Sequence, residues 1–266
     1  MAHRLPAILS PNCCHIVSGR RIWGWCEGMK RGWAIGLLSG GMLIVTAIAA
    51  FLYAPHWHPS DTSYPAQGLD ISHHQGVIDW DKVAATSEVD FVFMKATEGG
   101  DHVDSRFAIN WAEAKRVGIP RGAYHFFTLC RPGKEQAANF VKIVPADPAA
   151  LPPVVDLEYL GNCSSRPKLE NFQQELHDFL SIVEAHSGKP AILYLTREFD
   201  EAYAVSAKND RPLWLRSIII KPSFGARNWS IWQMSQFRSI DGIEGRVDWN
   251  AASLDFARTL PPRITP

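Results

Sequence analysis

The stretch Pro152-Pro153-Val154-Val155-Asp156-Leu157-Glu158 decides how the chain is read. In a β-strand, residues i and i+2 share a face, so Asp156 and Glu158 point to one side and Val155 and Leu157 to the other. At ~3.3 Å rise per residue, the Cα atoms of the two acids lie about 6.6 Å apart. Two carboxylates this close on an inner face resist simultaneous ionisation, which raises the pKa of at least one. Such a pair keeps one acid protonated near neutral pH beside an ionised partner. Taken alone the pattern has a second reading, because Asp-x-Glu also ends strands and caps the helix that follows.

Comparable runs lie on either side: GLDIS (68–72), FVFMKAT (91–97), RGAYHFF (121–127), AILYLT (191–196), LWLR (213–216), SIWQMS (230–235) and a short one near RVDW (246–249). Between them the pattern predicts helices at 79–86, 105–117, 133–143, 167–187 and 198–206, the fourth carrying Leu169, Phe172, Leu176, Phe179, Leu180 and Val183 at helical spacing. Apolar runs separated by helices predict a parallel sheet covered on both faces, and eight of them predict a TIM-like (β/α) barrel. Roughly 195 residues shared among eight units leaves about 24 each, below the ~31 of a usual barrel. The expected class is therefore α/β, an irregular barrel with some helices missing, chiefly in the C-terminal half where the runs crowd together. No internal repeat or low-complexity tract interrupts it.

The 266 residues carry 27 basic and 27 acidic side chains, and a net charge of zero argues against a protein that coats nucleic acid. That zero is an average over two unlike pieces. Residues 1–60 hold Arg4, Arg20, Arg21, Lys30 and Arg31 against Glu27, a net +4, which leaves −4 for residues 61–266. No charged residue occurs from Gly32 to Pro55. Trp33–Tyr53 is 21 residues of mostly apolar or small side chains, enough at ~1.5 Å per residue to cross roughly 30 Å of hydrocarbon. The positive-inside bias predicts a transmembrane signal anchor at 33–53, a cytoplasmic segment at 1–32, and export of everything after about Pro55. A cleaved signal peptide is the alternative, with Ala47, Ala49 and Ala50 near a cleavage site, and it requires export equally. Residues 54–66 read as a linker, 67–260 as the exported domain and 261–266 as a tail. Cys13, Cys14 and Cys26 precede the anchor and show no zinc-type spacing. Cys130 and Cys163 follow apolar runs in the exported part, where an oxidising compartment lets them pair, two free thiols being the alternative.

Other strand ends add acids. The first run contains Asp70, followed by Ile71-Ser72-His73-His74-Gln75-Gly76, and the last gives Val247-Asp248-Trp249-Asn250. Neither acid is favourable in a packed core without partners. Asp70, Asp156, Glu158 and Asp248 converge from strands one, four and eight, at the end where a barrel builds its active site. Glycoside chemistry needs such a cluster: a protonated carboxyl at the leaving oxygen, and negative charge near a developing oxocarbenium or oxazolinium ion. Tyr124, Tyr194, Trp214 and Trp232 lie in or at the ends of strands three, five, six and seven, as candidates to stack on sugar faces or, singly, as core fillers.

From Gly68 to about Leu260 the chain resembles glycoside hydrolase family 25, the CH-type lysozymes, through GLDISHHQG, FVFMKATEG, Asp104 to Phe107, GAYHFF, LPPVVDLE, LYLT, LW, WQMS and GRVDWN. The resemblance implies a flattened, irregular barrel, in agreement with the short units. It implies cleavage of the β-1,4 bond between N-acetylmuramic acid and N-acetylglucosamine in peptidoglycan. Glu158 then looks like the general acid/base, Asp156 supports the substrate's acetamido group, and Asp70 and Asp248 complete an acidic floor. Glu98 and Gln233 match recurrent positions and join the four aromatics as substrate-binding candidates. The expected mechanism is net retention with the acetamido group as internal nucleophile. No cofactor or metal is expected. The expected partners are peptidoglycan strands and, through the N-terminal helix, a membrane; no nucleic acid is expected, and the protein is expected to be monomeric. The anchor, the Cys130/Cys163 pair and the lack of a wall-binding repeat depart from the family pattern. Two other classes stay open. One is a non-catalytic glycan-binding protein. The other is a metal-dependent hydrolase using His73, His74 or His125, although no HExxH spacing occurs. His125, inside an apolar strand, is kept outside the catalytic set as a hydrogen-bonded support.

Overall fold

The computed structural model describes residues 24–53 and 62–263, which fall into two compact units divided between Tyr53 and Ala54. The first unit is a helix, α1 (Gly24–Tyr53), whose side chains are described from Leu37 onward. Leu37, Leu43, Phe51 and most of their neighbours are exposed. The spanning helix expected at 33–53 is not found: among the described residues no helix is long and apolar enough to cross a membrane. Residues 1–23, which include Cys13 and Cys14, lie outside the described residues, as does most of the expected linker.

In the second unit, β1 (Ala66–Ile71), β2 (Phe91–Glu98), β3 (His102–Val103), β4 (Arg121–Phe126), β5 (Val154–Leu157), β6 (Ile192–Leu195), β7 (Leu213–Arg216), β8 (Ile231–Arg238) and β9 (Val247–Ala252) form one sheet. Its order is β1-β9-β8-β7-β6-β5-β4-β2-β3, and an added β1–β2 pairing closes eight of these strands into a barrel. The short β3 folds back as a hairpin on the end of β2. Strands β1, β2 and β4 to β8 pair in parallel, as expected. The eighth barrel strand departs from the expectation, because β9 is antiparallel to both β8 and β1. Residues 239–246 are too few for the crossover of about a dozen residues that a parallel return requires.

The expected helices form as α2 (Trp80–Ala85), α3 (Phe107–Arg116), α4 (Gly133–Ile143) and α5 (Leu169–Ser187), while 198–206 splits into α6 (Arg197–Tyr203) and α7 (Val205–Lys208). A last short helix, α8 (Leu254–Ala257), follows β9. Period 3.6 in α5 turns Phe172, Leu176, Phe179, Leu180 and Val183 onto the sheet, where all five are buried. Gly188, at φ 68°, ends this helix in the left-handed conformation that favours glycine. Among the described residues no helix lies between β7 and β8 or between β8 and β9, so the expected loss of helices in the C-terminal half is found. Arg227 fastens that half instead. Its guanidinium donates to the backbone carbonyls of Ser206, Asn209 and Arg211.

Strand alternation divides the apolar side chains into two cores. Leu69, Met94, Val155, Leu193, Leu215 and Met234 face outward onto Trp80, Phe140, Phe172 and Phe179 of the helices. Phe91, Phe93, Val154, Ile192, Trp214 and Ile231 face inward and fill one part of the lumen. Filling a narrow barrel with phenylalanine rings requires small neighbours. A Cβ at Gly122 would overlap the ring of Phe93, and one at Gly68 the ring and carbonyl oxygen of Phe91. Gly122→Ala is therefore expected to destabilise the barrel by about 1–3 kcal/mol, the usual cost of overpacking, as read from urea midpoints at unchanged m-value.

Candidate active site

Beyond the phenylalanine layer the inward positions become polar. Asp70 of β1 lies directly across from Asp248 of β9 in the ladder. Because β9 is antiparallel, the start of this strand faces the same end of the barrel as the C-terminal ends of the others. Asp70 accepts hydrogen bonds from Asn250 Nδ2 at 2.7 Å and Gln233 Nε2 at 3.3 Å. Asn250 Oδ1 in turn accepts from Trp214 Nε1 at 2.9 Å, and Gln233 Oε1 from Tyr194 Oη at 2.7 Å. Trp214 and Tyr194 thus floor the cavity as buried, hydrogen-bonded supports.

Asp156 and Glu158 extend from β5 into the same space, as the alternation requires. Asp156 Oδ1 is buried and has no hydrogen-bond partner among the described residues. Burial raises the Asp156 carboxyl well above the ordinary carboxylate range, and the charges of Glu158 and Asp70 add to the effect. Burial likewise pushes Glu158 up to about 7, with Arg216 pulling the other way and Asp248 adding to the rise. Asp248 is raised by burial to about 6, again opposed by Arg216. Asp70 is raised chiefly by burial and then by Asp248, while its amide donors pull it down. These positions therefore hold protons that exposed carboxyls would have lost.

The cavity has two lobes, of about 200 Å³ and about 410 Å³, which share Asp70, Tyr124, Asp156, Glu158, Leu160 and Asp248. The carboxyl cluster thus lies within a cleft that continues on both sides of it. Tyr194, Trp214 and Gln233 border the smaller lobe; Glu98 borders the larger, held by Lys95 Nζ at 2.6 Å. One expected residue is not brought in. Trp232 is adjacent to inward-facing Gln233 and so faces outward, packing near Tyr64 and Trp229 and donating from Nε1 to Ser217 O at 2.6 Å.

Sequence reasoning missed Arg216 and Lys95, the cations facing the acids in the two lobes. Both were detectable, lying two residues beyond inward-facing Trp214 and Phe93. Cys130 and Cys163 form a disulfide, Cα to Cα 6.4 Å, joining the loop after β4 to the loop after β5. His125 faces outward beneath α4, hydrogen-bonded with Thr97 Oγ1 at 2.8 Å and Gln136 Oε1 at 3.1 Å; burial drives its pKa down to about 3, so the ring is neutral. His73 pairs with Asp104 through Nδ1 at 2.8 Å. Among the described residues no group of three or more His, Cys, Asp or Glu is placed to hold a metal ion.

A closed barrel whose polar end presents a proton-retaining carboxyl cluster along a two-lobed cleft has the build of a glycoside-cleaving enzyme. The pattern of the glycosyl hydrolases family 25 matches residues 69–243, and the chain belongs to that family. It is 33% identical over 220 residues to Lysozyme M1 of Streptomyces globisporus, covering 76% of this chain and 72% of that protein. Among solved structures, it is similar to a family 25 glycosyl hydrolase from Bacillus anthracis, with a TM-score of 0.66 and 36% identity over 73% of this chain and 91% of that one. The bacterial lysozyme from Streptomyces coelicolor also gives a TM-score of 0.66, at 30% identity over 73% of this chain and 95% of that one. The protein is a glycoside hydrolase.

An acid whose pKa is raised by folding makes the folded state less stable as pH rises from the ordinary Asp value of about 3.9 toward the folded value, because only the unfolded chain ionises freely. An amide at position 156 does not titrate. The melting temperature of Asp156→Asn minus that of the parent should therefore be small near pH 4 and increase toward pH 8. Scanning calorimetry across that range checks it, and a flat or decreasing difference contradicts the burial of Asp156.

Proposed function

We propose that this protein is a muramidase that hydrolyses the β-1,4 bond from N-acetylmuramic acid to N-acetylglucosamine in peptidoglycan. The observation that carries this reading is the unsatisfied, buried Asp156 Oδ1 beside a Glu158 carboxyl held near neutrality. An acetamido N–H donated to Asp156 Oδ1 completes its hydrogen bonding and turns the acetamido oxygen toward the anomeric carbon. Glu158 then gives its proton to the glycosidic oxygen as the C1–O bond breaks and the acetamido oxygen closes on C1. The resulting oxazolinium carries a positive charge that Asp156, Asp70 and Asp248 stabilise. Water next adds to C1 and gives a proton to the Glu158 carboxylate, which reopens the oxazolinium ring, restores the acetamido group and leaves a reducing-end N-acetylmuramic acid with the starting configuration.

Tyr124, Glu98 and Gln233 contact the glycan in this reading, while Tyr194 and Trp214 act through Gln233 and Asn250. The names of the relatives support the substrate class, since both Lysozyme M1 and the Streptomyces coelicolor protein are lysozymes. Hydrolysis of peptidoglycan requires the catalytic domain to act outside the cytoplasm, where the wall lies.

Three outcomes are expected. Proton NMR of early products shows the β-anomer first; the α-anomer first overturns retention. Glu158→Gln keeps the parental melting temperature or exceeds it, and loses about 10²–10⁴-fold in kcat, the usual worth of general acid catalysis. The donor must be protonated, so kcat falls as pH rises through about 7; a profile still rising at pH 9 removes Glu158 from that role.

A further inference from the structure

Glu158 lies just beyond the last residue of β5, so the loop at 158–163 determines where its carboxyl points. The backbone closes a turn there, with Asn162 N donating to Tyr159 O at 3.0 Å and Gly161 at φ 80°. That positive φ brings the Asn162 side chain back over the loop after β4. Its carboxamide uses both ends. Nδ2 donates to Glu158 O at 3.0 Å and to Phe127 O at 2.9 Å; Oδ1 accepts from Leu129 N at 2.9 Å and from Cys163 N at 3.0 Å.

We propose that Asn162 is the positioning residue for the proton donor, fixing the backbone of Glu158 against the loop after β4. The inference rests on Glu158 being that donor. Only a carboxamide fits the arrangement: it presents two N–H donors to two carbonyls and one oxygen to two amides. Aspartate, of the same shape, offers no donor and sets a negative charge against the Glu158 and Phe127 carbonyls. The Cys130–Cys163 disulfide joins the same loops, but at Cys163, five residues beyond Glu158. It limits the separation of the loops, whereas Asn162 contacts the peptide unit of the acid itself.

Asn162→Asp and Asn162→Ala are compared with the parent under oxidising conditions, with thiol titration to show the disulfide intact. The substrate is soluble, uncrosslinked peptidoglycan glycan strands. Each assay runs at the same interval below the melting temperature of that protein. Displacing a catalytic group by about 1 Å costs on the order of 10²-fold. Both variants should lose about 10- to 100-fold in kcat with KM within about twofold of the parent, and the alkaline limb of kcat should move from its parental position. Parental kcat and an unmoved limb in either folded variant overturn the proposal. So does a loss that disappears once the assay temperature is matched to stability, which marks Asn162 as structural only. Should one variant not fold, the other decides. An active Glu158→Gln enzyme overturns the donor assignment instead, a result distinct from fully active Asn162 variants.

Discussion

A carboxylate taken out of water must find a hydrogen-bonding partner or keep its proton, and the polar end of this barrel is arranged around that requirement. Asp70 has partners. Asn250 and Gln233 donate to it and are themselves held by Trp214 and Tyr194, so a chain of side chains runs from β1 through β9 and β8 to β7 and β6. Asp156 and Glu158 have no such support: Oδ1 of Asp156 is unpartnered among the described residues, and Glu158 is held near 7. The same burial that makes these two costly raises their pKa values above those of exposed carboxyls. The inward layer of Phe91, Phe93, Val154, Ile192 and Ile231 supplies the packing that offsets this cost.

Strand direction determines which acids meet. Asp248 opens β9, and an antiparallel β9 places that opening opposite Asp70 at the polar end. Were β9 parallel, its first residues would lie at the far end among the phenylalanines, and the cluster would lose a member. The short return at 239–246 therefore contributes to the site as directly as a side chain does, by making the antiparallel pairing the one available.

Much of this was legible in the sequence because alternation and helical spacing are local properties. Residues 152–158 predicted both the strand and the shared face of Asp156 and Glu158, and α5 was readable from Leu169 to Val183. What was missed depended on contacts distant in sequence. The pairing of β9 with β1, about 180 residues earlier in the chain, is such a contact, although the direction of β9 was itself readable from the short return at 239–246. Trp232 illustrates the opposite failure, since the rule needed was already available: Gln233 and Trp232 are adjacent and cannot both face inward. The same rule applied forward from Trp214 and Phe93 identifies Arg216 and Lys95. Asn162 carried no such periodic signal, because its place depends on the turn at Gly161 and on backbone groups of a loop more than thirty residues away.

Those two cations alter the meaning of the charge balance. Residues 61–266 carry a formal −4, and a cleft containing Asp70, Asp156, Glu158 and Asp248 would on formal charges repel an anionic wall polymer. Near neutral pH the formal count overstates the repulsion. Burial raises Asp156 well above the ordinary carboxylate range and keeps protons on a large share of Glu158, and Arg216 and Lys95 face the acids in the two lobes. Lys95 is already taken up by Glu98, whereas Arg216 draws down both Glu158 and Asp248 from across the smaller lobe. In the proposed mechanism, raising the pH takes the proton from Glu158 and makes the cleft more negative at the same time, so loss of the donor's proton and growing repulsion of an anionic glycan arise from one titration.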